Sequence, residues 1–73
     1  MATQIVMDHY GDTRHVFDEN DSTASALAEK RFMELVGKGY TAAVRNRSGM
    51  HEITRSFDPK AQETPFYPRL VGG

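Results

Sequence analysis

The chain has no cysteine, no long apolar run and no excess of either charge. The absence of cysteine among its 73 residues excludes disulfides, cysteine zinc sites and thiol nucleophiles. No stretch approaches the roughly 20 apolar residues that cross a bilayer, and the first residues do not show the basic region and apolar run of a secretion signal. We therefore expect a cytoplasmic protein with no membrane association, whose fold depends on packing alone.

The charge balance argues against nucleic acid as a partner. Nine basic and ten acidic residues give a net charge of -1, and both signs are interspersed, so there is no basic field to attract a phosphate backbone. Apolar residues make up 38% of the chain and charged residues 26%, which is typical of a globular protein. At this length we expect one domain with a small core, over residues 1–70.

The first part of the sequence predicts a β-hairpin. Residues 3–9 alternate, with Ile5 and Met7 on one face and Gln4 on the other, as in a half-buried strand. Turn-forming residues follow, and 14–17 can run back as a second strand.

A helix is predicted over 22–36, with Asp21 or Ser22 as its N-cap. Gly37 is predicted to end the helix as the C′ residue. Apolar residues recur at spacings of three and four and predict a face that packs on a sheet: Ala24, Leu27, Ala28, Phe32, Leu35 and Val36.

The second half of the chain predicts three more strands. Ile53 and Phe57 are the apolar positions that we expect to anchor the middle one. The element order β, β, α, β, β, β indicates an α+β fold, with one mixed sheet of four to five strands and a single helix across one face. The strands are predicted over 40–45, 50–57 and 66–70.

The sequence ends in Gly72 and Gly73, directly after the last predicted strand. Glycine has no Cβ, so such a pair can lie extended in a slot too narrow for other residues and leave a carboxylate open to chemistry. We expect residues 71–73 to form a flexible tail beyond the domain.

The element order together with this ending resembles the β-grasp fold of ubiquitin and of the bacterial sulfur carriers. Residues 66–73, FYPRLVGG, are similar to the end of the small subunit of molybdopterin synthase, and the segments 42–44, AAV, and 56–58, SFD, are similar to segments upstream in it. Here the helix leads through 37–39 straight into Tyr40, where a sulfur carrier usually has a longer stretch. The chain is therefore more similar to short bacterial ubiquitin-like proteins that serve conjugation systems.

This resemblance implies that the chain is a substrate and not an enzyme. A partner activating enzyme would use ATP and magnesium to join the carboxylate of Gly73 to AMP, and a sulfur nucleophile would then displace the AMP. No bound cofactor is implied. The implied partners are an activating enzyme, a conjugating enzyme, a deconjugating peptidase and a target protein.

Residues near the tail are candidates for binding these partners. Arg69 is expected to contact acidic residues of the activating enzyme or to be a solvated base, and Leu70 and Val71 are expected to contribute at the root of the tail. Exposed apolar residues on the sheet face away from the helix commonly dock partners in ubiquitin-like folds. A sticky last strand or tail is a possible route to self-association.

Three hypotheses remain open from the sequence. The first is a protein modifier attached to its target through Gly73. The second is a sulfur carrier that bears a thiocarboxylate at Gly73 and feeds molybdopterin or thiazole synthesis. The third is a small structural or phage-associated binding domain in which the two glycines are incidental. Lys30, Lys38 and Lys60 are candidate acceptors of another modifier's carboxylate, or simply solubilising residues.

Metal binding is not expected. His9, His15 and His51 could approach one another across paired strands, but no Glu-x-x-His or His-x-x-x-His spacing is present. The acidic run 18–21 lacks the alternating ligands, the glycine and the distant glutamate of a calcium loop.

Overall fold

The computed structural model describes residues 1–45 and 48–68, which form one mixed sheet and one helix. The sheet order is β2-β1-β5-β3-β4. β1 pairs in parallel with β5, and the other neighbours are antiparallel. The predicted α+β class, with one helix packed on a mixed sheet, is confirmed. In chain order the elements are β1 (Ala2–Asp8), β2 (Gly11–Phe17), α1 (Ser22–Gly37), β3 (Thr41–Arg45), β4 (His51–Thr54) and β5 (Glu63–Tyr67).

The ends of α1 follow from capping chemistry. Asp21 is the N-cap, as predicted, and its Oδ1 accepts hydrogen bonds from the backbone N–H of Thr23 at 2.9 Å and of Ala24 at 3.2 Å. The prediction that Gly37 ends the helix is wrong, because Gly37 is helical and Lys38 is the C-cap. At this end of the helix the positive φ, +100°, is that of Gly39, a conformation that glycine adopts without steric cost.

An aromatic cluster joins α1 to the sheet. Phe32 and Phe66 are fully buried, and their ring centroids lie 5.6 Å apart at an interplanar angle of 67°. Phe57 contacts Phe32 edge-on at 5.9 Å and also packs at 6.2 Å against Phe17. Such tilted and edge-on contacts are the arrangements that aromatic rings prefer.

One residue of the predicted apolar helix face is exposed. Ala28 and Phe32 are buried, and Leu35 and Val36 pack against the core, but Leu27 is 59% exposed. The expectation that Leu27 packs on the sheet is therefore wrong. On the same flank, one turn later, the Arg31 side chain makes a hydrogen bond to β1.

That polar bond runs through Gln4, which is completely buried. Its Nε2 donates to the backbone oxygen of Ala28 at 2.9 Å, and its Oε1 accepts from Nη1 of Arg31 at 2.8 Å. Both ends of the amide are thus satisfied, as burial of a polar group requires. Because Gln4 faces α1, Ile5 lies on the opposite face of β1, where it is also buried, so β1 is buried on both faces rather than half-buried.

The prediction that Ile53 anchors the core is also wrong, because Ile53 is 76% exposed. It pairs with Ala43, whereas its neighbour Thr54 pairs with the core residue Ala42. Successive residues of a strand point to opposite faces, so this register places Ile53 away from the helix.

β4 is shorter than predicted and ends at Thr54. The Thr54 hydroxyl donates to the backbone oxygen of Ser56 at 2.9 Å and accepts from its N–H at 3.2 Å, and this side chain bond competes with the ladder. Phe57 therefore lies beyond the strand, although it packs against the core as an apolar anchor.

Two other strands begin earlier than predicted. β2 begins at Gly11 because the hairpin turn is only His9 and Tyr10, with the Tyr10 N–H donating to Asp8 Oδ1 at 2.7 Å. β5 begins at Glu63 and includes Pro65, where the sequence predicted a strand from 66.

Replacement of Phe32 by alanine tests the packing of α1. We expect Phe32→Ala to lower the free energy of unfolding by about 3 to 5 kcal/mol, because it removes a fully buried ring and leaves a cavity. Chemical denaturation followed by circular dichroism measures this. Leu27→Ala on the same helix is the matched control and should cost well under half as much. Equal losses for the two variants would contradict the burial of Phe32 against the sheet.

The pH dependence of stability tests the surroundings of His15. Burial, and to a lesser extent the charge of Arg31, lower the pKa of His15 below 6.5. As the pH falls, His15 therefore binds a proton at a higher pH in the unfolded chain than in the folded one. His15 should make the protein less stable as the pH falls from about 6.5 through the lowered pKa. We expect His15→Asn to flatten the plot of unfolding free energy against pH in this window. His9→Asn, in the exposed turn, is the control, and a slope unchanged by His15→Asn would refute the assignment.

Candidate functional site

The chain leaves the described structure at the end of β5, a strand in the middle of the sheet. β5 pairs in parallel with β1 from Thr3↔Glu63 to Val6↔Phe66, and its other edge pairs with β3 at Thr41↔Tyr67 and Ala42↔Phe66. Phe66 is thus paired with a neighbouring strand on each side, whereas the edge of β5 toward β3 is paired only at Phe66 and Tyr67. Self-association through the last strand or the tail stays a prediction, because the residues after Pro68 lie outside the described ones.

Phe66 and Pro65 determine how β5 is held. Phe66 packs edge-on against Phe32 in the core, and its backbone is paired on both sides. Pro65 has no N–H to donate to a ladder, and β5 pairs with β3 only through the two residues after Pro65. The last residues of the strand are therefore fixed by a buried ring rather than by a long ladder.

The residues that the sequence predicts as the reactive and partner-binding site lie outside the described residues. The structure describes the chain as far as Pro68, directly after β5. It therefore includes the strand that leads into this site, whereas the chemistry of the site rests on the sequence alone. The residues concerned are Arg69, Leu70, Val71, Gly72 and Gly73.

The face of the sheet away from α1, here called the open face, carries an apolar row. Ile53 pairs with Ala43, and Ile5 pairs with Pro65. Ala43 and Pro65 lie level with each other, because Ala42 pairs with Phe66. The apolar row therefore runs across β4, β3, β5 and β1 and consists of Ile53, Ala43, Pro65 and Ile5.

Burial varies along the apolar row. Ala43, Pro65 and Ile5 are almost completely buried, whereas Ile53 at the β4 end is largely exposed. Tyr67, two residues after Pro65 and hence on the same face, is partly exposed as well. An exposed aliphatic and an aromatic side chain beside small buried ones form a surface that an apolar partner can cover.

Charged side chains border the apolar row. Arg45 Nη1 lies 3.3 Å from Glu63 Oε1 on the same face, and Arg14 pairs with Ile5 and extends the row onto β2. Both members of the Arg45–Glu63 pair are substantially exposed, so the pair contributes little to stability. Charges around an apolar centre are typical of interaction surfaces.

Sequence reasoning did not find the apolar row. The sequence predicts Ile53 as an anchor of its strand and begins the last strand at 66, directly after Pro65. The successive small apolar residues Ala42 and Ala43 were a usable signal, because a strand with apolar residues on both faces is covered on both. The register that brings Ile53 beside Ala43 was not readable from the sequence.

The histidines do not form a metal site in the described part of the chain. His9 lies in the hairpin turn, His15 faces α1, and His51 begins β4 on the far side of the sheet. No group of three histidine, cysteine or acidic residues within 1–45 and 48–68 is placed to hold a metal ion. The side chains of Lys30, Lys38 and Lys60 are all exposed, and their role as acceptors stays a prediction.

Comparisons with known proteins leave the family open. No family model, no curated protein and no solved structure matches the chain. Within the described residues, α1 is too short and too polar to cross a membrane.

Proposed function

We propose that this chain is a ubiquitin-like protein modifier of β-grasp fold, attached to its target through the carboxylate of Gly73. The proposal combines a described feature, the central strand β5, with the sequence beyond it. The mixed sheet with one helix across it is compatible with the β-grasp fold. The chain would be the substrate of an activating enzyme, a conjugating enzyme and a deconjugating peptidase.

The observation that carries the proposal is the position of β5. Its Phe66 is fully buried against α1, and only Tyr67 and Pro68 separate this anchor from Arg69. A reactive end must be presented at a fixed place on a rigid body if a partner is to grip the body and reach the end. An anchored strand that leads directly into an Arg-Leu-Val-Gly-Gly sequence supports that arrangement.

The chemistry explains why two glycines would be used. A carboxylate is a poor acylating agent because its leaving group is oxide. In the proposed reaction a carboxylate oxygen of Gly73 attacks the α-phosphorus of ATP and pyrophosphate leaves, with magnesium on the partner enzyme neutralising the phosphates. A partner thiolate then attacks the acyl carbon and AMP leaves. Gly72 would let the extended backbone enter a narrow adenylation slot.

The apolar row is the surface that would hold the activating or conjugating enzyme. It lies on β5 and its neighbours, so a partner seated on the row is close to the strand that precedes the tail. Ile53 and Tyr67 supply the exposed apolar area, and Arg14 supplies a charge at the β2 end. The sequence predicts a docking surface on the open face without naming its residues. The proposal assigns that function to the residues of the apolar row and its border.

The second candidate is a sulfur carrier for molybdopterin or thiazole synthesis, which the sequence 66–73 favours. Both candidates share the adenylation step and differ in the fate of the activated carboxylate. A sulfur carrier ends as a Gly73 thiocarboxylate, whereas a modifier ends joined to a second protein.

Deletion of Gly73 tests both candidates together. We expect the shortened chain to keep the melting temperature of the wild type, since a tail beyond the domain makes few native contacts, and to lose ATP-dependent transfer completely. The assay is intact mass spectrometry after incubation with lysate of the source cells, ATP and magnesium. Gly72→Ala should keep stability and reduce transfer, because its methyl group obstructs the slot.

The mass of the product separates the two candidates. A gain equal to the difference between sulfur and oxygen identifies a carrier, and a covalent adduct with a protein identifies a modifier. Full activity of the Gly73 deletion would rule out both.

Substitution within the apolar row tests the docking surface. We expect Ile53→Asp to reduce transfer at least about tenfold, since it places a charge where an apolar partner surface would be desolvated, with little loss of stability because Ile53 is exposed. Met33→Asp, at another largely exposed apolar residue, on α1, is the matched control and should keep wild-type transfer. Equal transfer by both variants would place the docking surface elsewhere.

A further inference from the structure

The outer edge of β2 is an unpaired strand edge that is complementary to itself. β2 is at the end of the sheet and pairs with β1 through seven consecutive residues, Gly11–Phe17, without a bulge. It contains neither proline nor lysine, two residues with which proteins commonly block such edges. The opposite edge strand, β4, has only four residues.

The hairpin fixes which backbone groups of β2 point outward. Asp8 and Gly11 close a turn of two residues, and the closing pair of such a hairpin exchanges both backbone hydrogen bonds. Because the pattern alternates, the N–H and C=O groups of Thr13 and His15 point toward β1. Those of Asp12, Arg14 and Val16 point away from the sheet, available to another strand.

We propose that two copies of this chain pair through β2, antiparallel about a twofold axis at Thr13, and form one continuous sheet. In this register Asp12 of each copy lies opposite Arg14 of the other, and the two Thr13 residues face each other. Asp12 and Arg14 both lie on the open face, because they pair with Met7 and Ile5. Neither makes an ion pair with another residue in the described part of the chain. Opposite charges directly across a ladder stabilise it.

Charge selects this register from its neighbours. An axis at Arg14 would place the two arginines against each other, and an axis at His15 would bring Asp12 opposite Asp18. Each alternative puts like charges together, which is destabilising. The backbone would accept all three registers equally.

Exposed apolar residues flank the same edge. Val16 is 62% exposed and Tyr10 is 98% exposed, and the register about Thr13 brings Val16 of one copy opposite Tyr10 of the other. Leu27 is exposed on the flank of α1 that carries Arg31, which acts on His15 of β2. The register about Thr13 therefore places the exposed Val16 of each copy opposite a large apolar side chain of the other.

Charge reversal tests the register. In Asp12→Arg both facing pairs become arginine with arginine, and in Arg14→Asp both become aspartate with aspartate. We expect either variant alone to raise the dimer dissociation constant at least about tenfold, measured by sedimentation equilibrium. An equal mixture of the two variants should associate like the wild type, since every facing pair is again of opposite sign. Glu29→Lys, exposed on another part of α1, is the control for charge in general.

Single cysteines provide a second measurement in a chain that has none of its own. Thr13→Cys should form a disulfide dimer under mild oxidation, because directly opposite residues of an antiparallel pair lie within the Cα separation that a disulfide requires. His15→Cys should not, since each cysteine would face Gly11 of the other copy. Circular dichroism confirms that each variant is folded.

The outcomes decide the proposal independently of the tail. A wild type that stays monomeric at protein concentrations up to about 1 mM would overturn the proposal, because its dimer dissociation constant would then be too high for a specific interface. Single variants that dimerise as the wild type does would overturn it as well. Faster cross-linking at position 15 than at 13 would refute the register. The measurement needs neither ATP nor an activating enzyme, so its result does not depend on the proposed modifier role.

Discussion

The position of the Phe32 ring is the constraint on which the rest of the structure depends. It is fully buried and contacts both Phe57 and Phe66, so one side chain joins the helix, the segment after β4 and the last strand. In a domain of this size few other large side chains are available to form a core. Loss of this contact would release the helix and the anchor of β5 together.

The sequence was sufficient for the elements whose signals are local and failed where a tertiary contact decides. The Asp21 cap, the helix and the β, β, α, β, β, β order follow from capping and periodicity. The faces of β1 and β4 do not follow from such signals. Gln4 of β1 is buried through hydrogen bonds to Ala28 and Arg31, which the spacing of residues in the sequence does not reveal. The assignment of Ile53 was wrong because an isolated apolar residue in a strand does not indicate which face of the sheet is covered. The reactive end was predicted from sequence and stays a prediction.

The two proposed surfaces share Arg14 but otherwise consist of different residues, so the same molecule can use both. The apolar row lies on the open face, and the β2 edge lies at its side, so pairing through β2 leaves Ile53 and Tyr67 uncovered. A twofold axis perpendicular to the sheet directs the two β5 strands in opposite directions. A dimer would therefore direct its two β5 strands toward opposite sides of one continuous sheet, each beside its own proposed docking surface.

Pro65 makes the sheet uneven in its resistance to local unfolding. Four residue pairs join β5 to β1, but only two join it to β3, and β4 is attached to the sheet through β3 alone. The opening that breaks the fewest backbone bonds separates the β3–β4 hairpin as a cooperative unit. The amide protons of this hairpin would then exchange with solvent sooner than those between β1 and β5. The half of the sheet that carries Ile53 is thus its least protected part, while β5, the strand that precedes the proposed site of attachment, belongs to the most protected part.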